Sequence, residues 1–300
     1  MAKLPVFPRF KPLELADREV IHHILWGYQP ETSELTFTNL FIWASFYGFE
    51  WSLEGDWLLV VSNSPNGRWA LPPIGPPPRV EVSRKLLAWL KEQGEDDPRL
   101  ERADERLVSE LAGAAGFLPE PVRDHFDYVY RAEDLIHLAG SEYHAKRNHL
   151  NSLNRSYTYT YEPFKEGHLA QCLELAAQWC QIRRCEEDLG LMGEWEAVGE
   201  ALKNFQDLNV QGGVILLNDR VEAFTLGERL NEETAVIHLE KANPEIRGLY
   251  TAINQQFCEH AWAQMAFINR EQDLGEPGLR TAKLSYHPHH FAKKFRIRLA

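Results

Sequence analysis

Apolar residues recur every three or four positions in some stretches of the chain and every second position in others. These two rhythms divide it into helices and strands. Asp17 caps a helix with Val20, Ile21, Ile24 and Leu25 on one side, ending near Gly27. In FIWASFYGFEWSLEGDWLLVVSN, Gly55-Asp56 separates two aromatic and β-branched runs, a hairpin signal. Residues 68–71 add a third strand before the PPIGPPP breaker; 82–93 and 104–115 read as helices, and 126–130 as a strand.

Tyr143, Arg147 and Leu150 lie at i, i+4 and i+7, so a helix sets Arg147 among apolar anchors, where it needs a partner. SYTYTYEPF then alternates as a strand does. Cys172, Leu173, Ala176, Trp179 and Cys180 mark one helix, and Trp195, Val198, Leu202 and Phe205 another. Three strands follow: GGVILLN, VEAFTLGE after an Asn218-Asp219 turn, and TAVIHLEK. Asn243 and Pro244 open a long helix; QMAFIN is a strand, GEPGLRTAKLSYHP a charged helix, and HFAKKFRIRL a closing strand. Consecutive strands are antiparallel and a strand-helix-strand run is a parallel crossover, which gives a mixed α/β (α+β) fold. The first half has a looser version of the same order.

Three hundred residues fit two domains, and 44% hydrophobic with 25% charged residues fill ordinary cores. A net charge of -12 opposes broad binding to DNA, leaving two local basic patches, KRNHLNSLNR and KKFRIR. The second reads as the solvated side of an edge strand or a surface for a tRNA acceptor stem. No apolar run suits a membrane span or signal peptide, so the expected location is cytoplasmic. The four cysteines lack metal-ligand spacing, which argues against a metal site or a disulfide framework, and Cys172 and Cys180 fall on an apolar stripe.

FTNLFIWASFY, DYVY, DLIHLAG with HAKRN, and DLGEPGLRTAKLSYHP carry a resemblance that covers most of the chain. The order of elements resembles the GNAT acyltransferase fold. The chain resembles uncharacterised bacterial proteins sharing the C-terminal domain of lysylphosphatidylglycerol synthases. The resemblance implies two tandem GNAT-like domains, each a mixed, mostly antiparallel sheet flanked by helices. They are expected over 1–150 and 151–300, with the candidate site in the second. It also implies aminoacyl transfer from an aminoacyl-tRNA to an amine or hydroxyl acceptor on a small molecule, peptide or lipid headgroup. Acetyl-CoA-dependent N-acetylation and a catalytically silent ligand-binding module are the alternatives.

Carried over from the lipid-modifying relatives, an Asp-x-x-Arg pair falls on His238 and Lys241, and a helix lysine on Lys283. His238 would be a general base with a pKa near neutral, or an ordinary structural hydrogen-bonder. Ala282 and Tyr286 have the spacing by which many GNAT enzymes place a leaving-group acid. Lys283 and Tyr286 would face one cleft, with Leu279 and Leu284 anchoring their helix. Asn269, Glu271 and Arg280 would bind substrate, as would Arg147 and Asn148, for which buried interdomain hydrogen bonding is the structural alternative. Arg247 and Gly248 are the remnant of a CoA pyrophosphate loop, where a helix N-terminus favours anions.

Overall fold

The computed structural model describes residues 4–64 and 67–300. The chain divides into two compact units, Met1–Asp127 with Gln272–Glu276 and Phe291–Ala300, and Tyr128–Glu271 with Pro277–His290. The expected boundary at 150 thus meets a chain that changes unit at four points, because its last strand pairs inside the first sheet.

The first unit contains β1 (Lys11–Pro12), α1 (Arg18–Tyr28), α2 (Phe37–Ile42), α3 (Ala44–Tyr47), β2 (Glu50–Glu54), β3 (Trp57–Ser64), β4 (Gly67–Ala70), α4 (Val80–Glu92), β5 (Arg99–Ala103), α5 (Glu105–Leu111) and β6 (Phe117–Pro121). The strand order is β1-β2-β3-β4-β5-β14-β6, where β14 is Phe295–Leu299. Strands β2 to β4 form an antiparallel meander, and α4 crosses over to β5, which meets β4 in parallel. Val82, Leu86, Leu87 and Leu90 of α4 recur at helical spacing and pack with Leu59, Val61, Leu100 and Ile297 from the sheet.

FIWASFY is helical, contrary to the strand reading. The Thr36 side chain accepts from Asn39 N, satisfying an end donor of α2, and Phe37 and Leu40 are buried at i and i+3. The turn ends at Gly48, φ 61°, where a Cβ would stand 2.6 Å from the Asn63 carbonyl oxygen.

The closing strand is also corrected. It is an inner strand, and Lys294 just before it is completely buried, with Nζ 2.6 Å from Asp127 and from Glu34 and 3.3 Å from Ser33. Arg296 bonds Glu101 at 2.7 Å, Arg298 bonds Asp97 at 2.7 Å, and Lys293 bonds Glu105 at 3.0 Å. Alternation identified the strand, but its neighbours are acidic strands and loops distant in sequence.

The second unit contains β7 (Asp127–Arg131, whose first residue belongs to the first unit), α6 (Ala132–His137), α7 (His144–Ser156), β8 (Thr160–Pro163), α8 (Leu169–Arg183), α9 (Leu189–Lys203), α10 (Phe205–Leu208), β9 (Gln211–Leu217), β10 (Arg220–Arg229), β11 (Thr234–Ala242), α11 (Leu249–Trp262), β12 (Phe267–Asn269) and α12 (Pro277–Leu284). Its sheet runs β13-β7-β12-β11-β10-β9-β8, with β13 at His290–Ala292. Strands β9, β10 and β11 form the meander, turning at Asn218 and Asp219, both left-handed at φ 49° and 62°. Helix α11 crosses over to β12, parallel to β11. Each unit is therefore a mixed, mostly antiparallel sheet flanked by helices, with the meander and crossover in the same order.

Cys172 is buried in α8, as its stripe predicts, but Cys180 is bonded to Cys185, with Cα atoms 5.2 Å apart. This corrects the expectation of unpaired cysteines: Arg184 takes φ 53°, and the turn after α8 brings Cys185 back beside the helix end. No helix among the described residues is long and apolar enough to cross a membrane.

Candidate functional site

Strand β12 pairs with β11 only from Phe267 to Asn269, opposite Thr234 to Val236. Asn269 then ends the strand: fully buried, it accepts Glu271 N on Oδ1 at 2.8 Å, while Glu271 turns to φ 56°. Strand β11 continues to Ala242, so His238 and Glu240, beyond the paired segment, meet side chains of the departing turn. Parallel sheets commonly place sites at such a carboxyl end.

His238 lies between two carboxylates, Nδ1 2.9 Å from Glu271 Oε1 and Nε2 3.0 Å from Glu228 Oε1, with 2% of its side chain exposed. Burial alone would lower its pKa, but hydrogen bonds to Glu228 and Glu271 and their charge outweigh it, pushing it up to about 9. The ring is therefore an imidazolium at neutral pH, which corrects the expectation of a base with a neutral-range pKa.

Glu240 accepts Arg270 Nη2 at 2.8 Å on one oxygen and Asn254 Nδ2 at 2.9 Å on the other. The Arg270 guanidinium sits 4.7 Å from the ring centre of Tyr286 and 5.8 Å from that of Tyr130. Its Nη1 is buried and meets no hydrogen-bond partner among the described residues. On Tyr286 also rests Lys146, its Nζ 3.7 Å from the ring centre and 2.6 Å from Ser285 Oγ. Burial first, then the Arg270 charge, push the Lys146 amine down to about 8. In the sequence Lys146 stands out only as part of the HAKRN motif and its basic patch, and Glu240 and Arg270 carry no signal of pairing, since thirty residues separate them.

Tyr286 lies past the end of α12 and is buried, with its hydroxyl 3.4 Å from Thr251 Oγ1 and only its ring toward Lys146. Burial raises its pKa. Lys283 directs Nζ to the carbonyls of Arg270, at 2.5 Å, and Glu271, at 3.1 Å, so it fastens the turn that holds both side chains. Tyr130 OH donates to Lys283 O at 2.8 Å and Tyr143 OH to Tyr286 O at 2.9 Å, which places DYVY and the start of α7 on the YHP turn. Leu279 and Leu284 are 42% and 43% exposed and do not anchor α12, correcting that expectation; Tyr286 is the anchor instead. Arg280 is half-buried on α12.

The remaining candidates lie elsewhere in this unit. Arg147 bonds the carbonyls of Leu138 and Gly140, capping the end of α6, and Asn148 is exposed. Lys241 pairs with Glu194 at 2.6 Å and lies 3.3 Å over the Trp179 ring; burial first lowers its pKa. Helix α11 begins at Leu249, after a turn in which Asn243 Oδ1 accepts Glu245 N. Gly248, φ +92°, is there because a Cβ would lie 2.4 Å from the His149 carbonyl oxygen of α7. A side chain at Gly248 would therefore run into α7, while Arg247 is exposed.

A family model described as phosphatidylglycerol lysyltransferase, C-terminal, matches residues 27–298. A conserved protein of unknown function from Bacteroides thetaiotaomicron has a solved structure 32% identical to this chain, with TM-score 0.90, covering 97% of this chain and 99% of that one. The structure of L-PGS from Bacillus licheniformis, 13% identical with TM-score 0.67 over 94% of this chain and 92% of that one, shares the fold. An uncharacterised protein of Mycoplasmoides gallisepticum is 23% identical over 58% of this chain, and the match spans 56% of that curated relative. The family points to an acyltransferase, and the chain belongs to the phosphatidylglycerol lysyltransferase C-terminal family.

Proposed function

We propose that this chain transfers an aminoacyl group from an aminoacyl-tRNA to an amine or hydroxyl acceptor, using the cluster at the parting of β11 and β12. The observation that carries this reading is Lys146, an amine held near pKa 8 on the Tyr286 ring beside the buried Glu240–Arg270 pair. About a tenth of such an amine is neutral at pH 7, enough to take a proton from the acceptor. The acceptor nitrogen or oxygen bonds to the carbonyl carbon, the ester bond to the ribose oxygen breaks, and the proton passes from Lys146 to that oxygen. Arg270 supplies positive charge for the developing oxyanion, and Lys283 holds its backbone in place.

Acetyl-CoA is the less favoured donor, because α7 crowds Gly248. Incubating the chain with charged tRNA pools or acyl-CoA pools, with mass analysis of the products, tests the reading. An aminoacyl mass increment is expected only with charged tRNA, and its loss in Lys146→Gln. Products from acyl-CoA alone would replace the donor, and products from neither pool would leave a silent binding module.

A further inference from the structure

We infer that the Cys180–Cys185 pair is a reversible modification site, opened by a small-molecule thiol and closed again by its disulfide, whose state sets how firmly Lys241 is held. The bond joins the end of α8 to the turn that leads into α9, with Arg183 and Arg184 inside the closed ring. Cys180 is half-buried and the four residues between the cysteines are exposed, whereas Cys185 is buried. Attack therefore falls on the Cys180 sulfur, toward which the neighbouring guanidinium groups draw an anionic thiolate. The other two cysteines take no part: Cys172 and Cys258 are fully buried, and burial pushes both thiols up to about 12.

The turn does not depend on the bond. Arg184 N bonds the Cys180 and Gln181 carbonyls, Glu187 N the Arg184 carbonyl at 2.9 Å, and Asp188 N the Cys185 carbonyl at 3.0 Å. The Asp188 side chain then accepts Gly190 N and Leu191 N at the start of α9. Held that way, the two sulfurs stay neighbours after reduction and can pair again. A ring this short also removes less entropy from the unfolded chain than a long loop does, so opening it leaves the fold standing. In the exchange a thiolate bonds to Cys180 Sγ, the S–S bond breaks, and Cys185 leaves as a thiolate that takes a proton. A second thiolate displaces Cys180 from the mixed disulfide, so two electrons pass from two small thiols to the cystine.

Lys241 senses the state because its holders lie on both sides of the ring. Its Nζ is 3.3 Å from the ring centre of Trp179, the residue before Cys180, and 2.6 Å from Glu194 Oε1 on α9. Arg183, inside the closed ring, lies 5.8 Å from the same indole. The closed pair keeps α8, Arg183 and α9 together around a buried amine, and the open pair lets the end of α8 fray.

To test this, the full chain is equilibrated in millimolar reduced glutathione, then in oxidised glutathione, acid-quenched, and alkylated in denaturant. Mass analysis should count four thiols after the first step and two after the second, with an unchanged circular dichroism spectrum. Brief labelling with an acetyl N-hydroxysuccinimide ester should modify Lys241 at least about fivefold faster in the opened chain, as local opening becomes easier. Cys180→Ser/Cys185→Ser should label at the fast rate in both buffers. A pair that opens only when the chain unfolds, or that never re-forms, would overturn the site. Equal Lys241 labelling in the closed, opened and doubly substituted chains would overturn its link to that amine.

Discussion

Raising the pH should unbind a proton that the folded chain holds tightly at His238. The imidazole is 2% exposed and bonded at both nitrogens to carboxylates, which raises its pKa from 6.5 to about 9. A group whose pKa is higher folded than unfolded contributes stability that is complete below the unfolded value and lost as pH rises through the folded one. The shift is worth about 3 kcal/mol in all, of which roughly 2 kcal/mol should disappear between pH 6 and 8. Lys146, whose pKa is lowered to about 8, acts with the opposite sign, but offsets only about a few tenths of a kcal/mol below pH 8.

The assay is urea unfolding of wild type and His238→Gln at half-unit steps from pH 6 to 8, in which titrations common to both cancel in the difference. The wild-type advantage should shrink steadily across the window. Nitrogen-15 chemical shifts of His238 should report both ring nitrogens protonated at pH 7.5. A pH-independent difference, or an imidazole that titrates at or below 6.5, would refute the reasoning.

Transfer activity should rise with pH through about 8 as Lys146 loses its proton, and a rate that stays flat from pH 6 to 9 would remove Lys146 from the base role. Lys294→Ala should cost about 3 to 5 kcal/mol in urea unfolding, because Asp127 and Glu34 lose a buried counter-ion; a loss under about 1 kcal/mol would mean that water screens the cluster. Gly248→Ala combines a left-handed backbone with a backbone clash at His149, so its unfolding midpoint should fall by an amount equivalent to at least about 2 kcal/mol. An unchanged midpoint would show that the turn before α11 has room to move away from α7.

The periodicities gave most of the elements their place. The Asn218-Asp219 hairpin, the β9 to β11 meander and the α11 crossover all follow from local spacing and turn chemistry, which act over a few residues. The aromatic content of FIWASFY suits a strand, while the Thr36 cap and the burial of Phe37 and Leu40 start α2, and α3 follows it up to the left-handed Gly48. KKFRIR reads as a charged edge because alternation says nothing of neighbours; Glu101, Asp97 and Glu34 come to it from far along the chain.

The candidate site divides in the same way. Sequence by itself determined that the last turn, GEPGLRTAKLSYHP, concentrates charge after a strand, and that His238 and Lys283 belong to the elements around it. Tertiary structure alone decided what those groups are: His238 a cation because Glu228 and Glu271 flank it, Lys283 a backbone clamp, and Lys146 an amine of lowered pKa because Tyr286 and Arg270 lie beside it. Helix and strand periods arise from contacts between near neighbours and so are written locally. A protonation state depends on burial and on charges that only folding brings within a few ångströms.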